Sequence, residues 1–159
     1  MISGVSSFSL PTSTFTSTYD NYRIILNHDS SSNAIALSFR MRASGTDNTS
    51  ANYTYARGGA TQGNVFAGAS NETSTLATAW DVTISGTYTS STVLDLMQPV
   101  STSYNTNFSA LSFYFDSLSN YRAQFTNGAL SVTTAYDSMT FFVGTGTVTG
   151  QYSVYGYNK

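Results

Sequence analysis

Apolar and polar residues alternate along most of this chain, with the period of two that places them on opposite faces of a β-strand. The clearest run spans 34–42, and the run at 22–27 has the same pattern. Six polar residues separate the two runs, which predicts an antiparallel hairpin. The residues expected on the buried faces are Tyr22, Ile24, Leu26, Ile35, Leu37, Phe39 and Met41.

The last residues of the chain follow the same rule. Val148, Tyr152 and Val154 fall on one face, while polar residues fall on the other face together with Tyr155 and Tyr157. Chain ends are usually loose unless other parts of the protein hold them. The pattern therefore predicts a terminal strand held inside a sheet. A short first strand is predicted at 5–10, and in sandwich folds the first and last strands often lie side by side.

Turn-forming residues divide the rest of the chain into further short segments. In the segment 108–117, Leu111, Phe113 and Phe115 are expected to point inward. The pair Asn127 and Gly128 is a specific hairpin signal and predicts a turn between two strands. The other segments are strands at 52–59, 63–68, 78–86, 91–99 and 139–144, and a loop or single helical turn at 69–77.

Composition agrees with a fold made of strands alone. The 159 residues include one Lys, one Glu and few Leu, while Thr, Tyr, Phe and Val are frequent. Helix-forming residues are therefore scarce and strand-forming residues are abundant. A chain of this length can bury about 70% of its unfolded surface in one core. We predict a single all-β domain over 1–159, an antiparallel β-sandwich of about ten short strands with jelly-roll-like connections.

The charge pattern argues against nucleic acid and membrane partners. Charged residues make up 9% of the chain, with a net charge of -2, so there is no basic stripe for phosphates. The apolar runs are too short to cross a bilayer, and the N-terminus does not read as a signal peptide. The chain has no cysteine, which fits synthesis in a reducing cytoplasm.

Residues for catalysis are few. His28 is the lone histidine, and Asp29 beside it in sequence is not evidence of an orienting partner. A loop position at a strand end is the simpler interpretation of His28. We therefore expect no enzyme activity, no cofactor and no catalytic residue. The acidic residues lie singly, mostly beside turn residues: Asp20, Asp29, Asp47, Glu72, Asp81, Asp95, Asp116 and Asp137.

A polar loop at 45–52 has oxygen atoms that could bind calcium. Asp47, Asn48 and Asn52 would supply them, but their spacing is not that of a known calcium loop. Zinc would need more His or Cys residues than the chain contains. We therefore name no metal ligand and expect no zinc site, and the sequence leaves open whether this loop binds calcium.

Aromatic residues are the best candidates for an interface. Tyr53, Tyr55, Tyr155 and Tyr157 are expected to be exposed, where their flat faces suit sugars or another protein. Trp80 and Tyr152 complete the set of interface candidates. Packing between strands is the alternative use of each of these side chains.

Three stretches of the chain resemble a known module. They are SSFSLPTSTFTSTYDNYRIILN, LSFRMRASGTDNTSANYTY and TGTVTGQYSVYGYNK. They are similar to the C-terminal β-sandwich module of bacteriophage virion proteins, including tail fibres and head-associated proteins. In that module "F…YDNYRI", "LRLRASGTD…NY" and a terminal "G.ISVYGY" recur. The middle of the chain, 63–106, does not match it.

The resemblance implies a structural role in a phage particle. The expected location is the virion, after synthesis in the host cytoplasm, and the expected partners are major capsid or tail proteins. Modules of this kind commonly form homotrimers, in which Tyr152, Tyr155 and Tyr157 would lock the sandwich or a neighbouring subunit. In fibres the module ends a longer chain, whereas here it begins near Met1. This favours a compact capsid cement or decoration protein.

Two other functions are compatible with the same residues. A tail fibre or tail-tip protein would recognise host surface glycan through loops such as 44–52 and 69–75. A depolymerase acting on that glycan would need two carboxylates at a separation that the sequence does not give.

Overall fold

A computed structural model of the chain describes residues 1–30, 35–61, 64–82, 90–115 and 120–158. In these ranges there are thirteen β-strands and no helix. The strands are β1 Ile2–Val5, β2 Ser7–Ser9, β3 Asn21–Ser30, β4 Ile35–Ala43, β5 Thr46–Asp47, β6 Tyr53–Thr61, β7 Asn64–Ser74, β8 Ala77–Val82, β9 Ser90–Met97, β10 Asn107–Phe115, β11 Tyr121–Leu130, β12 Ser138–Val143 and β13 Val148–Tyr157.

The strands form two antiparallel sheets. The wide sheet has eight strands in the order β1-β13-β3-β9-β10-β11-β6-β7. The narrow sheet has five strands: β2, β12 and β4 lie side by side, and β5 and β8 share the other edge of β4. The chain passes repeatedly from one sheet to the other, as in a jelly roll, while β9 to β11 follow one another as a meander. The prediction of an all-β antiparallel sandwich is confirmed.

The hydrophobic core lies between the two sheets. Phe108 of the wide sheet meets Phe39 of the narrow sheet edge-on, with ring centroids 5.1 Å apart. Burying a side chain of this size stabilises the fold by about 1.5–3 kcal/mol. The predicted buried faces of β3 and β4 are confirmed for the side chains that the structure describes, namely Tyr22, Ile24, Leu26, Leu37, Phe39 and Met41.

Strands β3 and β4 do not pair, so the predicted hairpin is wrong. β3 lies between β13 and β9 in the wide sheet, and β4 lies beside β12 in the narrow sheet. Each strand has one apolar face to bury. Lying in two different sheets that enclose the core satisfies this requirement as well as lying side by side, so alternation alone does not choose between the two arrangements. The connection at 31–34 lies outside the described residues.

Both chain ends are held in the wide sheet. β1 pairs with β13 at Ile2↔Gly150 and Val5↔Val148, and β13 pairs with β3 along its whole length. The expected terminal strand is therefore confirmed, but the strand beside it is β1, which precedes most of the first strand predicted at 5–10. The segment predicted as one strand at 5–10 belongs to two, because the chain bends at Ser6 and β2 joins the narrow sheet.

The predicted turn at Asn127 and Gly128 is wrong, because both residues lie inside β11. Gly128 faces the sandwich interior, where a β-carbon would lie 2.6 Å from Cβ of Tyr55 and would also meet the ring of Phe108. Glycine is needed here for a close approach between β11 and its neighbours.

Strands β6 and β7 include the segments predicted as strands at 52–59 and 63–68, and they pair with each other. The stretch 69–77 is neither a loop nor a helical turn. β7 continues to Ser74, which pairs with Tyr53, and β8 begins at Ala77. Register shifts along this pair disturb the alternation on which a strand prediction depends.

Candidate functional site

Strand β10 turns two large apolar side chains toward the surface. Leu111 is 48% exposed and Phe113 is 44% exposed, while Phe115 is half-buried. The expectation that these three residues point inward is therefore wrong. The buried face of β10 consists of Phe108, Ala110, Ser112 and Tyr114.

The inner face of β10 accepts a serine because that serine has a hydrogen-bond partner. The hydroxyl of Thr92 on β9 donates to Oγ of Ser112 at 2.7 Å, and both groups are buried. Burying a hydroxyl is costly mainly when it lacks such a partner. The partner belongs to another strand, so the alternation within β10 could not reveal which face is buried.

Neighbouring strands extend this surface on the outer face of the wide sheet. Phe113 pairs with Ala123 on β11. Further along the same two strands Phe115 pairs with Tyr121, and their ring centroids lie 4.6 Å apart. The row of Leu111 crosses β3, β9, β10 and β11 through Ile25, Val93, Leu111 and Phe125. The outer patch is defined as Ile25, Val93, Leu111, Phe113, Phe115, Tyr121 and Phe125.

An ion pair borders the outer patch. Arg23 and Asp95 pair across β3 and β9, one row beyond Ile25 and Val93, and two guanidinium nitrogens donate to the carboxylate at 2.8 Å each. The hydrogen bond and the charge of Asp95 raise the pKa of Arg23 above its ordinary value. The two charges compensate each other, so this border of the patch carries no net charge.

Two of the predicted interface residues lie in the core. Tyr53 is fully buried and Tyr55 is 7% exposed, so the expectation that they are exposed is wrong. The hydroxyl of Tyr53 accepts the N–H of Met41 at 2.9 Å and donates to the carbonyl of Asn48 at 3.1 Å. Burial raises its pKa. With its hydroxyl satisfied, this tyrosine can lie inside the sandwich.

The remaining interface candidates have different positions. Tyr152 is half-buried and its ring stacks on that of Phe8, with centroids 5.7 Å apart. Tyr155 is 54% exposed and Tyr157 is 39% exposed, both on the outer face of β13. Trp80 lies on β8, but its side chain lies outside the part that the structure describes. Of the candidates whose side chains the structure describes, only Tyr155 and Tyr157 lie together on one exposed surface, and their interface role stays a prediction.

A groove of about 490 Å³ runs along the edge of β13. It lies between the end of β13 and the loop 11–20, and we call it the edge groove. It combines aromatic rings with threonine hydroxyls, the two kinds of surface that suit a neutral sugar. Its lining consists of Thr14, Thr16, Tyr19, Tyr22, Val154, Tyr155 and Gly156.

The edge groove is shaped by one glycine and one tyrosine hydroxyl. A β-carbon at Gly156 would meet the ring of Tyr19, so glycine lets this ring lie against β13. The hydroxyl of Tyr22 accepts the N–H of Thr16 at 2.6 Å and donates to its carbonyl at 2.8 Å, which fixes the loop. The sequence interpretation missed Tyr19, because its position depends on the distant Gly156.

His28 lies on the inner face of β3 and is 2% exposed. Burial lowers its pKa from 6.5 to about 4, so the imidazole is neutral near pH 7. A second groove, of about 330 Å³, has His28 and Gly150 in its lining. The expectation that His28 is a loop residue is wrong, since it belongs to β3 and pairs with Ser90 and Gly150.

The side chains of the 45–52 loop contact other protein groups. Asp47 Oδ1 accepts a hydrogen bond from Thr140 at 2.7 Å and pairs with Arg42 at 3.0 Å. The side-chain amide of Asn48 donates to Asn52 and to the hydroxyl of Tyr136. These contacts assign the loop a structural use. In the described ranges no group of three His, Asp or Glu side chains could hold a metal ion.

Among the described residues, no helix is long and apolar enough to cross a membrane. Comparison with known proteins finds no matching family model, no matching curated protein and no matching solved structure.

Proposed function

We propose that the chain is a non-enzymatic structural protein of a bacteriophage virion, of the capsid cement or decoration type. The observation that carries this proposal is the outer patch. Contiguous exposed apolar patches of a few hundred Å² are often functional, and larger ones mark contacts with other proteins. A protein that works inside an assembly has a reason to keep Leu111 and Phe113 on its surface, where a lone monomer gains nothing from them.

The resemblance to phage modules supplies the virion part of the proposal. The first and third of the stretches that carry it are far apart in sequence but contact each other in the fold. β3 comes from the first stretch and pairs with β13 from the third along ten residues of each strand. β4 and Tyr53 come from the second stretch and are joined by the hydrogen bond between Tyr53 and Met41. Similarity confined to such segments is what a shared architecture produces.

In this proposal the chain docks on the major capsid protein or on tail proteins and stiffens the particle against the pressure of packaged DNA. It acts as a homotrimer, is made in the host cytoplasm and resides in the virion. Neither nucleic acid nor membrane insertion has a part in the mechanism. The proposed role is mechanical reinforcement of the particle, and the residues responsible are those of the chain's contact surfaces.

A heat-release experiment tests the decoration role. Phage particles assembled without this chain should release their DNA at a lower temperature than complete particles, and purified protein added back should restore the difference. Particles that release DNA at the same temperature with and without the chain would contradict the proposal.

The edge groove favours a second candidate function, a tail fibre or tail-tip protein that binds host surface glycan. Tyr19 is 41% exposed and Tyr155 is 54% exposed, so both rings are available for stacking on a sugar. Thr14 and Thr16 line the same groove and offer hydroxyls for its polar edge. Aromatic rings with few rotatable bonds contribute contact area at a low cost in conformational entropy.

Retention on immobilised host polysaccharide tests this candidate. The protein should be retained, and Tyr19→Ala should abolish retention. Tyr104→Ala removes a 62% exposed tyrosine that does not line the groove, so it should have no effect. Passage of the unaltered protein without retention would exclude a glycan role for the groove with that host.

A further inference from the structure

We infer that another copy of this chain covers the outer patch. This assigns a surface and an occupant to self-association, and it does not depend on the phage identity of the protein. The steps are the exposure of the patch, its size, its charge and its shape.

The first step is exposure. Four members of the patch are large and well exposed: Leu111 at 48%, Phe113 at 44%, Phe125 at 37% and Tyr121 at 51%. Since an aromatic side chain has roughly 150–250 Å² to bury, these four together expose roughly 300–400 Å². Half-buried Ile25, Val93 and Phe115 lie in the same rows. The apolar surface is therefore continuous over four neighbouring strands.

The second step is size. Strands lie about 4.8 Å apart and rise about 3.3 Å per residue, so six strands of about nine residues present a face of roughly 700–900 Å². The face from β13 to β6 has these dimensions. A standard protein interface buries about 800 Å² on each partner. The sheet face that carries the outer patch is therefore large enough for a stable contact.

The third step is charge. The Arg23–Asp95 pair at the border compensates its own charges. A second copy brings an identical surface, so a net charge here would repel the same charge on the copy. Because this border has no net charge, two copies can meet without that repulsion. An unrelated partner of opposite charge would not need a neutral border. Polar residues on the outer face of β13, such as Gln151 and Ser153, provide a rim.

The fourth step is shape. The row through Leu111 and Phe125 continues into Gly58 on β6 and Gly68 on β7, which have no side chains. Within this row the raised part is therefore Leu111 with Phe125 on β10 and β11, and the low part is Gly58 with Gly68. A two-fold pair or a closed trimer places the raised part of each copy against the low part of the next. Sheet faces pack in this aligned manner in β-sandwiches.

Sedimentation equilibrium of the full chain, over a wide range of concentration, tests the inference. The unaltered protein should have the mass of a dimer or trimer. The double variant Leu111→Ser with Phe113→Ser should be monomeric, or should dissociate with a constant raised at least about tenfold. Tyr104→Ser, which removes an exposed aromatic residue outside the patch, should leave the mass unchanged.

A thiol probe gives an independent measurement on folded protein. The chain has no cysteine, so Leu111→Cys and Tyr104→Cys each introduce one thiol. Alkylation of the first thiol should slow as protein concentration rises, and that of the second should not. A monomer at all concentrations overturns the inference, and so does an oligomer that survives the double substitution with the thiol at position 111 still reactive. A monomer would also contradict the homotrimer of the proposed function, whereas the heat-release experiment tests the decoration role separately.

Discussion

His28 links the stability of the sandwich to pH. Because burial lowers its pKa from 6.5 to about 4, the unfolded chain binds a proton between these values and the folded chain does not. Above pH 6.5 this pKa shift hardly changes the free energy of unfolding. As pH falls from 6.5 toward 4, the shift lowers the free energy of unfolding progressively. Between pH 7 and pH 5 we expect the free energy of unfolding to fall by about 2 kcal/mol.

Urea unfolding at pH 7 and pH 5 measures this change. His28→Gln is the matched control, because it keeps a polar side chain but does not titrate. Carboxylates titrate mostly below pH 5, so the variant should lose little stability over the same interval. An equal loss in both proteins would show that another group causes it.

Gly128 tests the close approach of β11 to its neighbours. Gly128→Ala should lower the free energy of unfolding by about 1–3 kcal/mol, because the new methyl group would overlap Tyr55 and Phe108. Gly144→Ala places the same methyl group in open space and should change stability by less than about 0.5 kcal/mol. Chemical unfolding compares the two, and equal values would contradict the packing described for β11.

At the residue scale the sequence predicted correctly which face some side chains occupy and failed for others, for a physical reason. Alternation correctly placed Tyr155 and Tyr157 on the exposed face of β13, because one face of that strand is plainly polar. Tyr53 and Tyr55 were expected at the surface, since the sequence does not show that Met41 and Asn48 satisfy the hydroxyl of Tyr53. Partners that are distant in sequence decide whether a tyrosine is buried.

At the scale of elements, one hydrogen bond joins the two sheets. Tyr53 belongs to β6 of the wide sheet, and its hydroxyl accepts the N–H of Met41 on β4 of the narrow sheet. Tyr53→Phe should lower the free energy of unfolding by about 1–3 kcal/mol, because this buried N–H loses its partner. Tyr104→Phe removes a hydroxyl from an exposed ring and should have no measurable effect. Unchanged thermal unfolding of Tyr53→Phe would contradict the role of this bond.

Two of the three tyrosines in the terminal strand β13, Tyr152 and Tyr155, are expected to contribute very differently to stability. Tyr152→Ala removes a ring stacked on Phe8 and should cost about 1–3 kcal/mol. Tyr155→Ala removes an exposed ring and should change the stability of the monomer by less than about 0.5 kcal/mol. Thermal unfolding of both variants checks this, and a larger loss for Tyr155→Ala would mean that Tyr155 locks the sandwich itself.

Most elements could be predicted from the sequence, and their pairing could not. β4 and β13 have one clearly apolar face each, so their existence and orientation followed from alternation. β10 has apolar residues on both faces, and the hydrogen bond from Thr92 to Ser112 decides which face is buried. β3 and β4 resemble a hairpin in sequence but lie in different sheets, and alternation does not distinguish the two arrangements because both bury the same side chains.

At the scale of the whole molecule, the fold presents two surfaces of different chemistry. The outer patch is apolar and broad, which suits a protein contact. The edge groove is narrower and combines aromatic rings with hydroxyls, which suits a sugar. Neither surface was predicted from the sequence, because each collects residues from strands or loops that the chain order separates. The outer patch is the larger feature, and the proposal of an assembly protein depends on it.

Gold labelling of intact phage particles tests that proposal most directly. Antibody raised against this chain is bound to the particles, and gold grains are counted by electron microscopy. The account predicts grains spread over the head, as expected for a decoration protein that covers the capsid. Grains confined to the tail would contradict the decoration role and favour the glycan-binding alternative, and particles without grains would contradict a place in the virion altogether.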